Sequence, residues 1–157
     1  LFAAGASGTG LLGSANSAGA IIGGIAVLAL TRFQAKGLIV LWASLAYGLF
    51  LLAFGLTGSL ITGMVLIALL GAADSVTVAV RVTTVMLTTP DKMRGRAFSL
   101  MYVAAQTSNN IGTIWVGFWA GVIGASSTMV MGGVISIVMT LLVLLLWEPI
   151  RTYRSND

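Results

Sequence analysis

The 157 residues contain no cysteine and no histidine. The chain therefore has no disulfide, no thiolate zinc site, and no thiol or imidazole for nucleophilic, acid–base or haem chemistry. Charged residues are also scarce, at 8% of the chain, whereas soluble domains carry about 25%. A soluble fold of this length would lack polar side chains for its surface. A composition that is 58% hydrophobic therefore predicts a membrane protein.

The absences extend to the groups that enzymes use. The acidic residues are dispersed and no apolar segment contains a lysine, so no nucleophile–base pair is expected. Neither an enzyme nor a cofactor or metal site is predicted. Residues 8–13 read GTGLLG and match the dinucleotide pattern G-x-G-x-x-G. That pattern requires a preceding strand, whereas here it opens an apolar segment, which favours turn and packing glycines.

Five apolar segments meet or approach the length that a membrane-spanning helix requires. A helix needs about 20 apolar residues to cross a hydrocarbon core of roughly 30 Å. Uninterrupted apolar runs such as 140–147 favour helices over the alternating pattern of a β-barrel. The predicted fold is thus an all-α integral membrane protein. Its predicted spans are 11–31, 38–55, 60–88, 97–124 and 128–147, followed by a tail at 148–157.

Seven of the eight basic residues lie after the first, third or fifth span. The two other connections, 55–60 and 124–128, carry no charge. Because short loops rich in Lys and Arg stay in the cytoplasm, the N-terminus is expected outside and the tail inside, in an inner or plasma membrane. The basic loops then face the anionic leaflet of the lipid bilayer, and nucleic acid is not an expected partner. The seven residues are Arg32, Lys36, Lys92, Arg94, Arg96, Arg151 and Arg154.

Two ionisable residues, Asp74 and Arg81, lie deep within the third span. Their seven-residue separation places them on nearly the same face, about 10 Å apart along the helix. The sequence leaves two interpretations open: a structural ion pair or hydrogen bond to a neighbouring helix, or a site for substrate or proton. A carboxylate in a low-dielectric site takes up a proton readily, and a nearby guanidinium opposes this.

The fourth span carries a polar stripe whose members recur at helical spacing within an arc of about 100°. Such a stripe lines a hydrated cavity or forms hydrogen bonds to other helices, and we favour the cavity. Asn16 and Ser17 of the first span are candidates for the same role. The stripe comprises Ser99, Tyr102, Gln106, Asn109, Asn110, Thr113 and Gly117.

Two glycine pairs have the four-residue spacing that lets membrane helices approach closely. They are Gly19 with Gly23 in the first span and Gly117 with Gly121 in the fourth. Packing within this chain is favoured over a dimer interface.

The connection between the third and fourth spans is charged and predicts a helix restart. Thr89 suits an N-cap, Pro90 the first helical position and Asp91 the first turn. Residues 91–96, DKMRGR, then project into the cytoplasm, where they can dock on another loop and favour one conformation. The basic cluster could also bind phosphate, but a topology anchor is the simpler interpretation.

This connection and the span before it carry a family resemblance. Residues 71–76 (GAADSV), Val80-Arg81 and 89–96 (TPDKMRGR) resemble the tenth helix and following loop of major facilitator superfamily transporters. The resemblance is to the enterobactin exporter-like efflux branch. The glycine-rich start through Gly24 is similar to the eighth helix, and 147–151 (WEPIR) to the tail after the twelfth. Residues 31–37 depart from the pattern, because only scattered basic residues of the usual G-x-x-x-D-R-x-G-R-R motif remain.

The superfamily has twelve helices in two halves, so the resemblance implies helices eight to twelve, with the N-terminal half and helix seven as missing partners. The start at Leu1 rather than Met also leads us to expect an upstream segment. The family resemblance further implies a secondary transporter that exports a small-molecule substrate by alternating access, with proton antiport. Asp74 and the polar stripe would face the cavity, and five helices alone would not transport. Cytoplasmic gating would involve Asp91, Arg94, Gly95 and Arg96.

A different class of protein remains open. The chain could be an autonomous small membrane protein without a transport cycle, acting as an accessory or regulatory subunit or as an oligomeric pore. It would need a self-complementary surface, for which Gly117 and Gly121 are the candidates.

Overall fold

The computed structural model describes the backbone of residues 5–30 and 36–146 and the side chains of 7–27 and 39–146. These residues form five α-helices and a one-turn 3₁₀ helix, with no strand among them, which confirms the all-α prediction. Arg32 and the tail 148–157 lie outside the described residues. The helices are α1 (Gly5–Leu30), α2 (Lys36–Leu56), α3 (Leu60–Thr88), α4 (Arg94–Ile123) and α5 (Ala125–Leu146), and the 3₁₀ helix is Asp91–Met93.

Four of the helices are long and apolar enough to cross a membrane. The qualifying stretches are Ser7–Val27, Ile39–Leu56, Leu60–Thr88 and Ala125–Leu146. Although α4 is 30 residues long, the polar stripe along it lowers its apolar character. A crossing by α4 therefore stays a prediction. The first helix starts earlier than the predicted span, because small residues before Leu11 continue it to Gly5.

The first and third helices pack at backbone contact and run parallel. A Cβ added at Gly19 would overlap the Ala68 carbonyl, and one added at Gly23 would lie 2.6 Å from Ala72 Cα. A step of four residues along α1 thus matches a step of four residues along α3 in the same direction, which shows that the two helices are parallel. Small residues permit this approach where lipid supplies no hydrophobic drive. The Ser75 hydroxyl reinforces the contact by donating a 2.9 Å hydrogen bond to the Ala20 carbonyl.

The second and fifth helices form a second close pair, which runs antiparallel. A Cβ at Gly48 would lie 2.8 Å from Ile137 Cγ1, and one at Gly55 would lie 2.8 Å from the Val130 nitrogen. Residue numbers along the contact therefore increase in α2 as they decrease in α5. α2 also packs against α3, which gives the order α1–α3–α2–α5. These directions are those of helices that alternate along the chain.

The restart after α3 differs from the predicted N-cap. Thr89 is extended (φ −100°, ψ 131°) and follows the end of α3, and Pro90 precedes the 3₁₀ turn, so α4 begins only at Arg94. The residue before a proline is disfavoured in helical conformation, so α3 ends before Thr89. Pro90 is non-helical too (ψ 144°), so it takes the N-cap position in place of Thr89, and Asp91 is the first residue of the turn. The turn closes through a 2.8 Å hydrogen bond from the Met93 nitrogen to the Pro90 carbonyl.

Candidate functional site

The third helix lies between two neighbours and leaves two sides uncovered. Ala68, Ala72 and Ser75 face α1. At about 100° per residue, the buried residues Leu70 and Ala73 lie on the other flank, where α2 packs. The remaining two sides of α3 have different chemistry.

One uncovered side of α3 is apolar and the other is charged. Val65, Leu69 and Leu87 are exposed on the first side. Asp74 and Arg81 are exposed on the second, within about 20° of each other around the helix axis. Neither is in an ion pair among the described residues, where the ion pair joins Arg94 to Asp91. The two charges therefore share one face of α3 but lie two helical turns apart, and each is open to a further partner.

A residue that the sequence analysis missed lies near Asp74. Tyr47 on α2 is half-buried, and it is close enough to Asp74 for the two to interact electrostatically. The residue sits in a run of apolar residues within α2, so hydropathy gave no reason to select it. The available signal was a phenolic hydroxyl near the middle of a membrane span, where a hydroxyl needs a polar partner.

The polar stripe of α4 is exposed along its whole length. Ser99 Oγ and Thr113 Oγ1 donate 2.9 Å hydrogen bonds to the carbonyls of Gly95 and Asn109 in their own helix. Within the described chain, no side chain of the stripe is bonded to another helix. The exposed polar members that remain open are Tyr102, Gln106, Asn109 and Asn110.

The opposite side of α4 is apolar and equally exposed. Leu100, Ile111 and Phe118 are 74%, 62% and 65% accessible. α4 lies against α5 and α3, but none of its residues is buried. Like α3, the helix thus presents one polar and one apolar open side.

Aromatic residues lie near both ends of α4. Phe98 stacks on Tyr102 with ring centroids 6.4 Å apart, close to the charged connection. Trp119 contacts Phe118 edge-on at 5.6 Å and Trp115 at 6.3 Å near the other end. Aromatic side chains favour the two membrane–water interfaces, so this distribution suits a helix that crosses the bilayer.

The two glycine pairs have different surroundings. Gly19 and Gly23 lie against α3, as described above. In the described part of the chain, no atom outside their own helix lies within 4 Å of a Cβ placed at Gly117 or Gly121. This second pair remains an open strip of small residues on α4.

The charged connection is organised around Arg94. Its Nε donates to the carbonyls of Met86, at 2.9 Å, and Thr89, at 3.3 Å. Its Nη1 lies 2.7 Å from Asp91 Oδ1. The neighbouring Gly95 and Arg96 are exposed.

The sequence of the chain decides its family. The family model described as Major Facilitator Superfamily matches residues 2–156. The chain belongs to the Major Facilitator Superfamily. No curated protein and no solved structure matches it significantly.

Membership of this superfamily makes the chain a multi-pass membrane protein of a transporter family. Transport by superfamily proteins requires polar groups that face a path through the bilayer. The charged side of α3 and the polar stripe of α4 are the described surfaces with this character. Across the described residues, no group of His, Cys, Asp or Glu is arranged to hold a metal ion.

Proposed function

We propose that the chain forms part of a secondary active transporter that exports a small molecule by alternating access. Its five helices would correspond to helices eight to twelve of the twelve-helix fold, completed by helix seven and an N-terminal half. The similarity to the enterobactin exporter-like branch supports export as the direction. Charge counting supports an inner-membrane location with the N-terminus outside and the tail in the cytoplasm.

The observation that carries the proposal is that α3 and α4 each have one polar and one apolar open side. An apolar side suits lipid, whereas a charged residue at the bilayer centre costs roughly 2.5–3.5 kcal/mol. The polar sides therefore belong to a hydrated path or to the remainder of the transporter. Substrate would bind along the stripe of α4, whose amides both donate and accept hydrogen bonds.

Proton antiport is assigned to Asp74. The carboxyl group is exposed on the charged side of α3, and the described chain holds it in no ion pair. Arg81 lies about 10 Å away along the helix, so the carboxylate is not permanently neutralised by it. These two features make Asp74 the candidate for proton coupling as the cavity changes its access.

The charged connection is assigned to cytoplasmic gating. Asp91 and Arg94 form its ion pair, and Gly95 leaves room beside Arg96, which is exposed to contact the other half. Gating by charged loops would bias the transporter between its inward-open and outward-open states.

The test is a transport assay with an unbiased substrate set. Everted membrane vesicles that contain the full-length protein are energised with an acidic interior and incubated with a small-molecule extract of the host cell. Mass spectrometry should find a compound that accumulates in these vesicles more than in vesicles without the protein. If no compound is distributed differently, with the protein inserted and the pH gradient intact, proton-driven export is excluded.

One observation favours a second function. The open strip at Gly117 and Gly121 could join copies of the chain, as an accessory subunit or oligomeric pore requires. Cysteine cross-linking at Gly121→Cys distinguishes the two. Efficient homodimer formation in native membranes supports the accessory role, whereas its absence supports burial of the strip in a single transporter.

A further inference from the structure

Arg94 reaches back from the start of α4 to the end of α3. The last carbonyls of an α-helix have no partner within the helix, and Met86 belongs to this last turn of α3. The Arg94 Nε hydrogen bond to Met86, at 2.9 Å, satisfies one of these carbonyls and brings a cation to the negative end of the helix dipole. The same side chain contacts Thr89 and Asp91 in the connection 89–93, which we call the elbow, so it joins the end of α3 to residues on both sides of Pro90.

The rest of α4 is held weakly within the described chain. No residue of α4 is buried, although the helix is 30 residues long. Its far end is followed by a turn at Gly124 (φ 85°), whose carbonyl accepts a 2.8 Å hydrogen bond from the hydroxyl of the buried Thr128 of α5. Within this chain, the direction of α4 is therefore set at its ends rather than along its length.

We propose that Arg94 is a positioning residue that sets the direction in which α4 leaves α3. The position of the polar stripe then depends on Arg94. Calling that stripe a substrate path rests on the proposed function, but the positioning itself does not. A tilt of only about 10° at the elbow would move Ile111, about 25 Å along the helix, by about 4 Å.

Two other basic residues in or next to the elbow provide the contrast. Lys92 and Arg96 carry the same charge and are exposed, and among the described residues neither forms an ion pair. All three contribute equally to retention of the loop in the cytoplasm. Of the three, only Arg94 bridges the two helices, because its guanidinium lies against Met86, Thr89 and Asp91. We call these contacts the clasp.

The test measures the geometry of the elbow directly. The chain has no cysteine, so Leu69→Cys on α3 and Ile111→Cys on α4 provide its two spin-label sites, both on open apolar sides. Distances are measured between labels in the full-length protein, with any cysteine outside this chain replaced. Arg94→Ala should shift or broaden the distribution by about 4 Å, the displacement expected for a tilt of about 10°.

Lys92→Ala is the matched control, since it removes the same charge from the same turn without loss of the clasp. It should leave the distribution unchanged. Arg94→Lys keeps the charge and one donor group, so it should give an intermediate distribution, and it serves if Arg94→Ala does not fold. The proposal is overturned if the Arg94 variants give the Lys92→Ala distribution, even with a lower unfolding midpoint. Because no transport is measured, this result is independent of the vesicle assay.

Discussion

Asp74 and Ser75 are adjacent in sequence but face different surroundings. Ser75 points into the contact with α1, where it is bonded to the Ala20 carbonyl, while Asp74 lies about 100° further round the helix on the open charged side. The packing of α3 against α1 therefore fixes the rotation of the helix that exposes Asp74. The packing of Ser75 and the exposure of Asp74 are therefore coupled by their spacing along the helix.

Asp74→Asn should abolish proton-driven transport without a change in membrane insertion. The amide has nearly the same shape as the carboxyl group but cannot exchange a proton at neutral pH. Transport driven by a pH gradient is measured in vesicles, with the amount of inserted protein as the reference. Asp74→Glu, which keeps the carboxyl group, should retain part of the rate. Transport by Asp74→Asn with unchanged pH dependence would instead assign Asp74 a structural role.

At the scale of single helices, much of the arrangement was readable from the sequence. The predicted third span coincides with α3, and the polar stripe of α4 follows directly from helical periodicity. Periodicity could not show which helix each face meets. Gly19 and Gly23 were recognised as packing residues, but their partners, Ala68 and Ala72, depend on the tertiary arrangement.

Two features of the candidate site lay beyond sequence reasoning for different physical reasons. Tyr47 was missed because it is one polar group in an apolar helix, and only the packing of α2 on α3 brings it near Asp74. The elbow was mispredicted because Thr89 has the side chain of an N-cap. An extended backbone suits an N-cap, but Pro90 is also non-helical (ψ 144°) and takes the cap position itself, so the restart comes one residue later than the prediction.

The close contact of α1 with α3 can be tested with two neighbouring glycines. Gly23→Ala should destabilise the protein by about 1–3 kcal/mol, since a Cβ there would meet Ala72 backbone atoms and force the helices apart. Gly24→Ala adds the same group where, outside its own helix, no described atom lies within 4 Å. Higher helix propensity should make that variant neutral or more stable by up to about 1 kcal/mol.

The comparison is made by unfolding both variants of the full-length protein in mixed micelles of increasing denaturing-detergent fraction. Equal stability of the two variants would show that α1 and α3 are separated in the membrane. A loss confined to Gly23→Ala supports the backbone contact.

The whole molecule combines two close helix pairs joined through the contact of α2 with α3. The directions of the four helices agree with alternation across the membrane, which leaves the distinction between the two faces of the bilayer to the loops. That distinction rests on the positions of Lys and Arg. α4 is the least apolar of the five helices, so its composition gives the weakest support for a membrane crossing.

Reporter fusions should place the connections on alternate faces. Alkaline phosphatase, which is active only outside the cytoplasm, should be active when fused after Gly58 or Gly124 and inactive after Gly95. The reason is that, of these three connections, only the one that contains Gly95 carries positive charge. Inactive enzyme after Gly124 would show that α4 does not cross, and the up-and-down arrangement would then be wrong.

The separation of the close pairs along the chain has a consequence for synthesis. Ser75 follows Ala20 by 55 residues, so α1 must wait about 3–11 s for its partner at a synthesis rate of about 5–20 residues per second. α2 waits longer, because α5 is the last of the five helices to be made. During insertion, the glycine face of α2 is therefore the last to be covered. Synthesis that ended after α3 would leave α1 paired with α3, but the face of α2 that meets α5 would have no partner.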